Sequence, residues 1–165
     1  MRDIAGTPGV RAVVVNGHAG EATSLDRAER AQVVSVAVAA AGSLPVVAGV
    51  VADDTRGACA LAQDAARAGA SALLLFPPAV FAQGAGARPD MAHRFVSDVA
   101  GASSLPIVLF QLSRASGLAF STETLAQLCM DVPAIVAVKE GSDVPERSTR
   151  TTSGPCARCR ARSRC

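Results

Sequence analysis

The sequence predicts an α/β fold built on a parallel sheet. Five short apolar runs, beginning at residues 11, 45, 71, 106 and 134, are continuous rather than alternating, which is how strands buried on both faces read. Helical segments with their own start and stop signals lie between them. The strand starts fall 34, 26, 35 and 28 residues apart, the spacing of repeated βαβ units.

The first strand is Arg11-Ala-Val-Val-Val-Asn16, ending at Gly17. Thr23 precedes Asp26 by three, a capping-box spacing, and predicts a helix to Ala41 with Gly42 just past its end. Pro45-Val-Val-Ala-Gly-Val-Val51 is the second strand. Thr55 caps the next predicted helix, which runs through Ala68 to a stop at Gly69. Ser71-Ala-Leu-Leu-Leu-Phe76 is the third strand. Pro89 suits the first turn of a helix reaching about residue 100, with Gly101 after it. Pro106-Ile-Val-Leu-Phe110 follows, then a helix capped by Ser121 or Thr122 and ending near Met130. The last strand is Ala134-Ile-Val-Ala-Val-Lys139.

Such units close into a (β/α)₈ barrel or lie in an open doubly wound sheet. A dinucleotide-binding sheet carries G-x-G-x-x-G after its first strand. Here that strand ends Gly17-His18-Ala19-Gly20-Glu21, a G-x-x-G pattern. It places two glycines and several backbone N–H groups at a strand's C-terminal end, where a barrel binds its ligand.

Composition narrows the function classes. The 165 residues suffice for one ordinary domain, and half are apolar. With neither tryptophan nor tyrosine present, the core rests on aliphatic residues and five phenylalanines. No apolar run approaches the ~20 residues of a membrane span, and the N-terminus lacks signal-peptide features. A cytoplasmic protein is expected. All fourteen acids lie at or before Glu146, whereas six arginines follow it. Residues 1–145 are therefore expected to form an acidic α/β domain, and 146–165 a basic, unstructured Cys- and Arg-rich tail. The tail has no aromatic residue for base stacking, so nucleic-acid binding is not favoured. Cys156, Cys159 and Cys165 fall one ligand short of a structural zinc site, so no metal is expected. Cys59 and Cys129 fall in helical patterns that suit small buried thiols. The abrupt break in composition after Asp143 is what a reading-frame change leaves.

Among fifteen arginines the chain has one lysine, Lys139. Arginine stays protonated and forms no imine, whereas a desolvated lysine loses its proton and attacks a carbonyl. Lys139 ends a strand, where catalytic side chains of such barrels sit. The competing reading is a lysine paired with Glu140 or another acid.

The segments Asn16-Gly-His-Ala-Gly-Glu21, Pro45-Val-Val-Ala-Gly49, Phe76-Pro-Pro78, Leu105-Pro-Ile-Val-Leu-Phe110 and Ile135-Val-Ala-Val-Lys-Glu140 resemble, in order and separation, the dihydrodipicolinate synthase and N-acetylneuraminate lyase family. The resemblance covers about residues 4 to 145 and implies a (β/α)₈ barrel that is incomplete here. It further implies a metal- and cofactor-free lyase or aldolase acting on pyruvate or a related 2-oxo acid. Lys139 would form the Schiff base. Gly17, His18, Ala19 and Gly20 would hold the substrate carboxylate, chiefly through backbone N–H donors. The complete family member would be a homodimer or homotetramer.

Three departures from the family pattern are visible. His18-Ala19 replaces two hydroxyl residues. Phe110 stands at the position of the family's proton-relaying tyrosine and has no proton to transfer. Ala115 stands where an arginine for a second substrate often lies, with Arg114 one place early. Dihydrodipicolinate synthesis itself is therefore not the expected reaction. With a first and two last strands absent, the strands at 11–16 and 134–139 become edges, and little turnover is expected from this chain alone. The alternative is an inactive, truncated relative that serves as a binding or assembly module.

Overall fold

The computed structural model describes residues 7–84 and 88–141. The tail at 146–165, its three cysteines and the change of pattern after Asp143 lie outside the described residues.

Five strands form one parallel sheet: β1 (Val13–Val15), β2 (Val46–Val50), β3 (Ala72–Leu75), β4 (Ile107–Gln111) and β5 (Ile135–Glu140). Four α-helices connect them: α1 (Arg27–Ala41), α2 (Thr55–Arg67), α3 (Pro89–Ala102) and α4 (Thr122–Asp131). The strands lie in the order β1-β2-β3-β4-β5. Each crossover therefore advances one position in the same direction. A doubly wound sheet reverses at a switch point; the absence of a reversal among the described strands makes this sheet an arc of a barrel.

Consistent crossovers leave the helices on one side of the sheet. Val34 of α1, Ala58 and Ala62 of α2, Val96 and Val99 of α3 and Leu128 of α4 pack into one core with Val50, Leu73, Leu75, Ile107 and Leu109. Side chains alternate along a strand, so the neighbours of these residues face the other way. Leu74, Phe76 and Phe110 form a second buried cluster there, with Val47, Val51, Val108 and Leu112 against it. This second surface is the inner face. The sequence shows no alternation in the middle strands because both faces are apolar.

The edge strands differ. Val14 in β1 is 53% exposed and Val136 in β5 is 42% exposed, although both sit in runs as apolar as the middle ones. Each edge strand pairs on one side only among the described strands.

The β4–β5 register contains a bulge. Ile107 lies opposite Ile135, but Val108 lies opposite Ala137. β5 thus sets two residues, Val136 and Ala137, against one of β4. Beyond the bulge Val138 packs toward the helix-side core, and Lys139 lies level with Phe110.

Helix caps account for the remaining boundaries. The capping box that opens α1 is formed by Asp26 and Glu29, not by Thr23 and Asp26: the Asp26 carboxylate accepts from Glu29 N–H, and Glu29 accepts from Asp26 N–H, both at 2.8 Å. Thr23 belongs to a preceding 3-10 turn at Ala22–Ser24. Asp54, one residue before Thr55, caps α2 by accepting from Gly57 N–H at 2.8 Å. Pro89 occupies the first turn of α3 as expected, and Gly101 lies inside that helix rather than beyond it. Ser121 caps α4, accepting from Thr124 N–H at 3.1 Å. Cys59 and Cys129 are half-buried at the margin of the core and form no disulfide, less enclosed than their apolar context suggests. Burial is the main reason that the Cys59 thiol titrates above its ordinary value.

Candidate active site

The C-terminal ends of the strands bring an amine, three aromatic rings and a loop of backbone donors together. β1 ends at Asn16, which is buried and left-handed (φ 56°), a conformation asparagine tolerates better than most residues. Asn16 Nδ2 donates to the Arg30 carbonyl oxygen at 2.9 Å. The Arg30 guanidinium in turn donates to the Leu25 and Val51 carbonyl oxygens at 3.1 and 2.8 Å. The start of α1 is thereby tied to the ends of both β1 and β2.

The predicted loop then forms a 3-10 turn at His18–Gly20. Gly20 N–H donates to the Gly17 carbonyl at 3.0 Å, and Glu21 N–H to the His18 carbonyl at 3.1 Å. Those two donors are engaged. The N–H groups of His18 and Ala19, at the start of the turn, have no acceptor among the described residues.

The His18 imidazole lies on the inner-face aromatics. Its ring centre is 4.5 Å from that of Phe76 and 6.2 Å from that of Phe110. Phe76 and Phe110 meet edge to face at 4.8 Å, the arrangement their ring quadrupoles favour. Lys139 Nζ stands 4.2 Å from the centre of the Phe110 ring, within cation–π range. Lys139 is exposed and forms no ion pair with an acid among the described residues. The alternative reading of a lysine paired with Glu140 is not realised, because consecutive strand residues point to opposite faces.

The β4–α4 connection is held by Gln111. Its side-chain amide donates to the Phe120 carbonyl at 2.9 Å, and its carbonyl oxygen accepts from Phe120 N–H at 3.1 Å. Arg114 and Ala115 fall in the 3-10 turn Arg114–Ser116 within this loop, and both are exposed. The Arg114 charge is felt at Glu123 in the first turn of α4, whose carboxyl is held below its ordinary value, first by a backbone hydrogen bond and then by Ser121. No hydrogen bond or ion pair among the described residues joins Arg114 to Lys139 or Phe110.

The structure thus assembles Lys139, Phe110, His18 and the Gly17–Gly20 turn, and leaves Arg114 at the periphery. Phe76 was not singled out from sequence as part of this patch. Its position closing the Leu73–Leu75 run was the available signal. A groove of about 840 Å³ lies elsewhere, between the starts of α1 and α2, and is lined by Thr23, Arg30, Asp53 and Arg56 among others. It contains none of the patch residues. Juxtaposed chemistry, rather than volume, marks the site. Among the described residues no group of three or more His, Cys, Asp or Glu could hold a metal ion, and no helix is long and apolar enough to cross a membrane.

Comparison with known proteins bears on this arrangement. Residues 5–154 match the model of the dihydrodipicolinate synthetase family. The 4-hydroxy-tetrahydrodipicolinate synthase of Bartonella quintana is 33% identical over 139 residues, which is 82% of this chain and 45% of that protein. A Coccidioides immitis protein provisionally named a mitochondrial 4-hydroxy-2-oxoglutarate aldolase is 34% identical over 133 residues, 79% of this chain and 42% of that one. Among solved structures, the chloride-inhibited dihydrodipicolinate synthase of Acinetobacter baumannii complexed with pyruvate aligns with TM-score 0.70 and 26% identity, covering 84% of this chain and 47% of that one. The chain spans a little under half the length of the curated relatives it matches. Its five parallel strands and four α-helices correspond to about half of the barrel in such structures. With the strand-end lysine, the G-x-x-G turn and the arc of strands in the family's order, the chain belongs to the dihydrodipicolinate synthetase family.

Proposed function

We propose that the chain carries the imine-forming half-site of a lyase or aldolase that acts on pyruvate or a related 2-oxo acid. The observation that supports this reading most is the place of Lys139. The sole lysine of the sequence stands over Phe110 on the inner face, at the C-terminal end of its strand, with no acid paired to it among the described residues. An amine so placed attacks the carbonyl carbon of a 2-oxo acid, loses water and leaves a protonated imine. That imine draws electrons from the adjacent carbon–carbon or carbon–hydrogen bond. The substrate carboxylate has two backbone donors to meet, the N–H groups of His18 and Ala19, whose role needs no particular side chain. Two features support reading the reaction as another of the aldolase and lyase class rather than dihydrodipicolinate synthesis itself. Phe110 offers no hydroxyl, and Arg114, exposed in its 3-10 turn, makes no hydrogen bond or ion pair with the other site residues among the described residues.

Borohydride reduction in the presence of pyruvate, followed by peptide mass spectrometry, tests the reading without requiring turnover. A reduced pyruvate adduct on Lys139, absent from Lys139→Arg, is expected. An intact fold with no adduct would instead support the second reading, a non-catalytic binding or assembly module, which the exposed edge residues Val14 and Val136 also favour.

A further inference from the structure

The aromatic patch has an amine at one end and an imidazole at the other. Lys139 Nζ lies 4.2 Å from the centre of the Phe110 ring, and the His18 ring centre lies 6.2 Å from the same point. Phe110 is 8% exposed, whereas His18 and Lys139 are exposed and reachable by a bound molecule. No side-chain hydrogen bond among the described residues holds the imidazole; its contacts are the rings of Phe76 and Phe110. A small 2-oxo acid joined to Lys139 and held through its carboxylate at the His18–Ala19 turn would lie across Phe110, beside the imidazole.

We propose that His18 is the group that takes and returns the proton at the carbon next to the imine, the task for which Phe110 has no atom. The inference rests on the imine-forming reading of Lys139 given above. In the step, the C–H bond next to the imine carbon breaks and its proton passes to the neutral imidazole nitrogen. The electron pair left behind becomes the carbon–carbon double bond of an enamine, and the C=N pair returns to the Lys139 nitrogen. The reverse step delivers a proton from the imidazolium. Histidine suits both directions because its charge changes within the physiological pH range.

The test follows exchange of the pyruvate methyl protons in D₂O by NMR, with borohydride trapping in parallel, on the full 165-residue chain. The proteins compared are wild type, His18→Ala, Phe110→Tyr and the double variant, with Lys139→Arg as blank. The expected result is that His18→Ala traps as much adduct as wild type but exchanges about 10²-fold more slowly, the usual worth of a positioned acid–base group. Adding Phe110→Tyr to His18→Ala restores a phenolic proton at the same ring and is expected to recover exchange. Exchange unchanged in His18→Ala would overturn the inference. Parallel loss of adduct and exchange would assign His18 to binding alone and also overturn it. Failure of the double variant to recover would trace the loss to disturbed packing and overturn it as well. No adduct in the wild-type chain would overturn the reading of Lys139, and this inference with it.

Discussion

Gly49 of β2 and Asn16 at the end of β1 meet backbone to backbone: a Cβ built on Gly49 would lie 2.0 Å from the Asn16 carbonyl oxygen and 2.6 Å from its carbonyl carbon. Neither atom belongs to a flexible side chain, so the approach admits hydrogen alone. Gly49→Ala is therefore expected to push the turn that begins at Gly17 away from the sheet. A loss of about 1–3 kcal/mol, typical of overpacking, is expected in urea unfolding followed by circular dichroism. An unchanged midpoint would show that the backbone yields without strain.

Gln111 makes two hydrogen bonds to the backbone of Phe120 across the loop that carries Arg114. Gln111→Ala removes both and leaves half-buried backbone groups to find water. The expected cost is about 1–3 kcal/mol, with faster proteolysis between residues 112 and 120. Equal cleavage rates for variant and wild type would count against the clamp.

Asp64 of α2 joins two helices, pairing with Arg27 of α1 and with Arg67 of its own helix. The hydrogen bond from Arg27 is the main reason its carboxyl sits below its ordinary value. A carboxyl depressed in the folded state contributes stability that is present above its unfolded pKa, near 3.9, and is lost as pH falls through the folded value. Because the arginines are solvent-exposed, Asp64→Asn is expected to cost no more than about 1 kcal/mol at neutral pH. The difference from wild type is expected to shrink as pH falls below ~4 and to vanish only once the pH is under the lower, folded value. A pH-independent difference in unfolding midpoints would refute the ion-pair account.

Val14 and Val136 are exposed on the two edge strands. Edge strands with apolar side chains recruit further chains, and lysine is a residue that blunts them. The apparent mass of the wild-type chain by light scattering is expected to rise with concentration. The rise is expected to be weaker in Val14→Lys and in Val136→Lys. Identical concentration dependence in all three would exclude these edges as the contact.

Much of the architecture was legible in the residues because it is local. All five strands fall within two residues of the apolar runs that predicted them, since continuous Val, Leu and Ile between turn signals has few other readings. The starts of α1 and α2 were displaced by three residues and one for a physical reason: Thr23, Asp26, Asp54 and Thr55 all have capping chemistry, and packing, not propensity, decides which of them closes the first turn. Exposure of Val14 and Val136 was not visible in composition, because an edge strand reads like a central one until its neighbours are known. The contact of His18 with Phe76 and Phe110 joins residues more than fifty positions apart. No sequence spacing encodes it. The resemblance of strand ends put Lys139, Phe110 and the loop with His18 in one site, but it did not give the packing of the imidazole on the two phenylalanine rings.

The bulge in β5 turns the chemistry into a question of odd and even. Between Ile135 and Lys139 the strand carries one residue more than the matching stretch of β4. Had the count been equal, Val138 would have stood beside Phe110, and the only primary amine among the side chains would have pointed into the packed layer of helices. Removing Val136 would equalise the count by another route: Ala137, Val138 and Lys139 would still fall opposite Val108, Leu109 and Phe110, now in unbroken alternation. Adduct formation should therefore survive that deletion, because the spare residue sets which strand neighbour the amine follows and not which ring it meets.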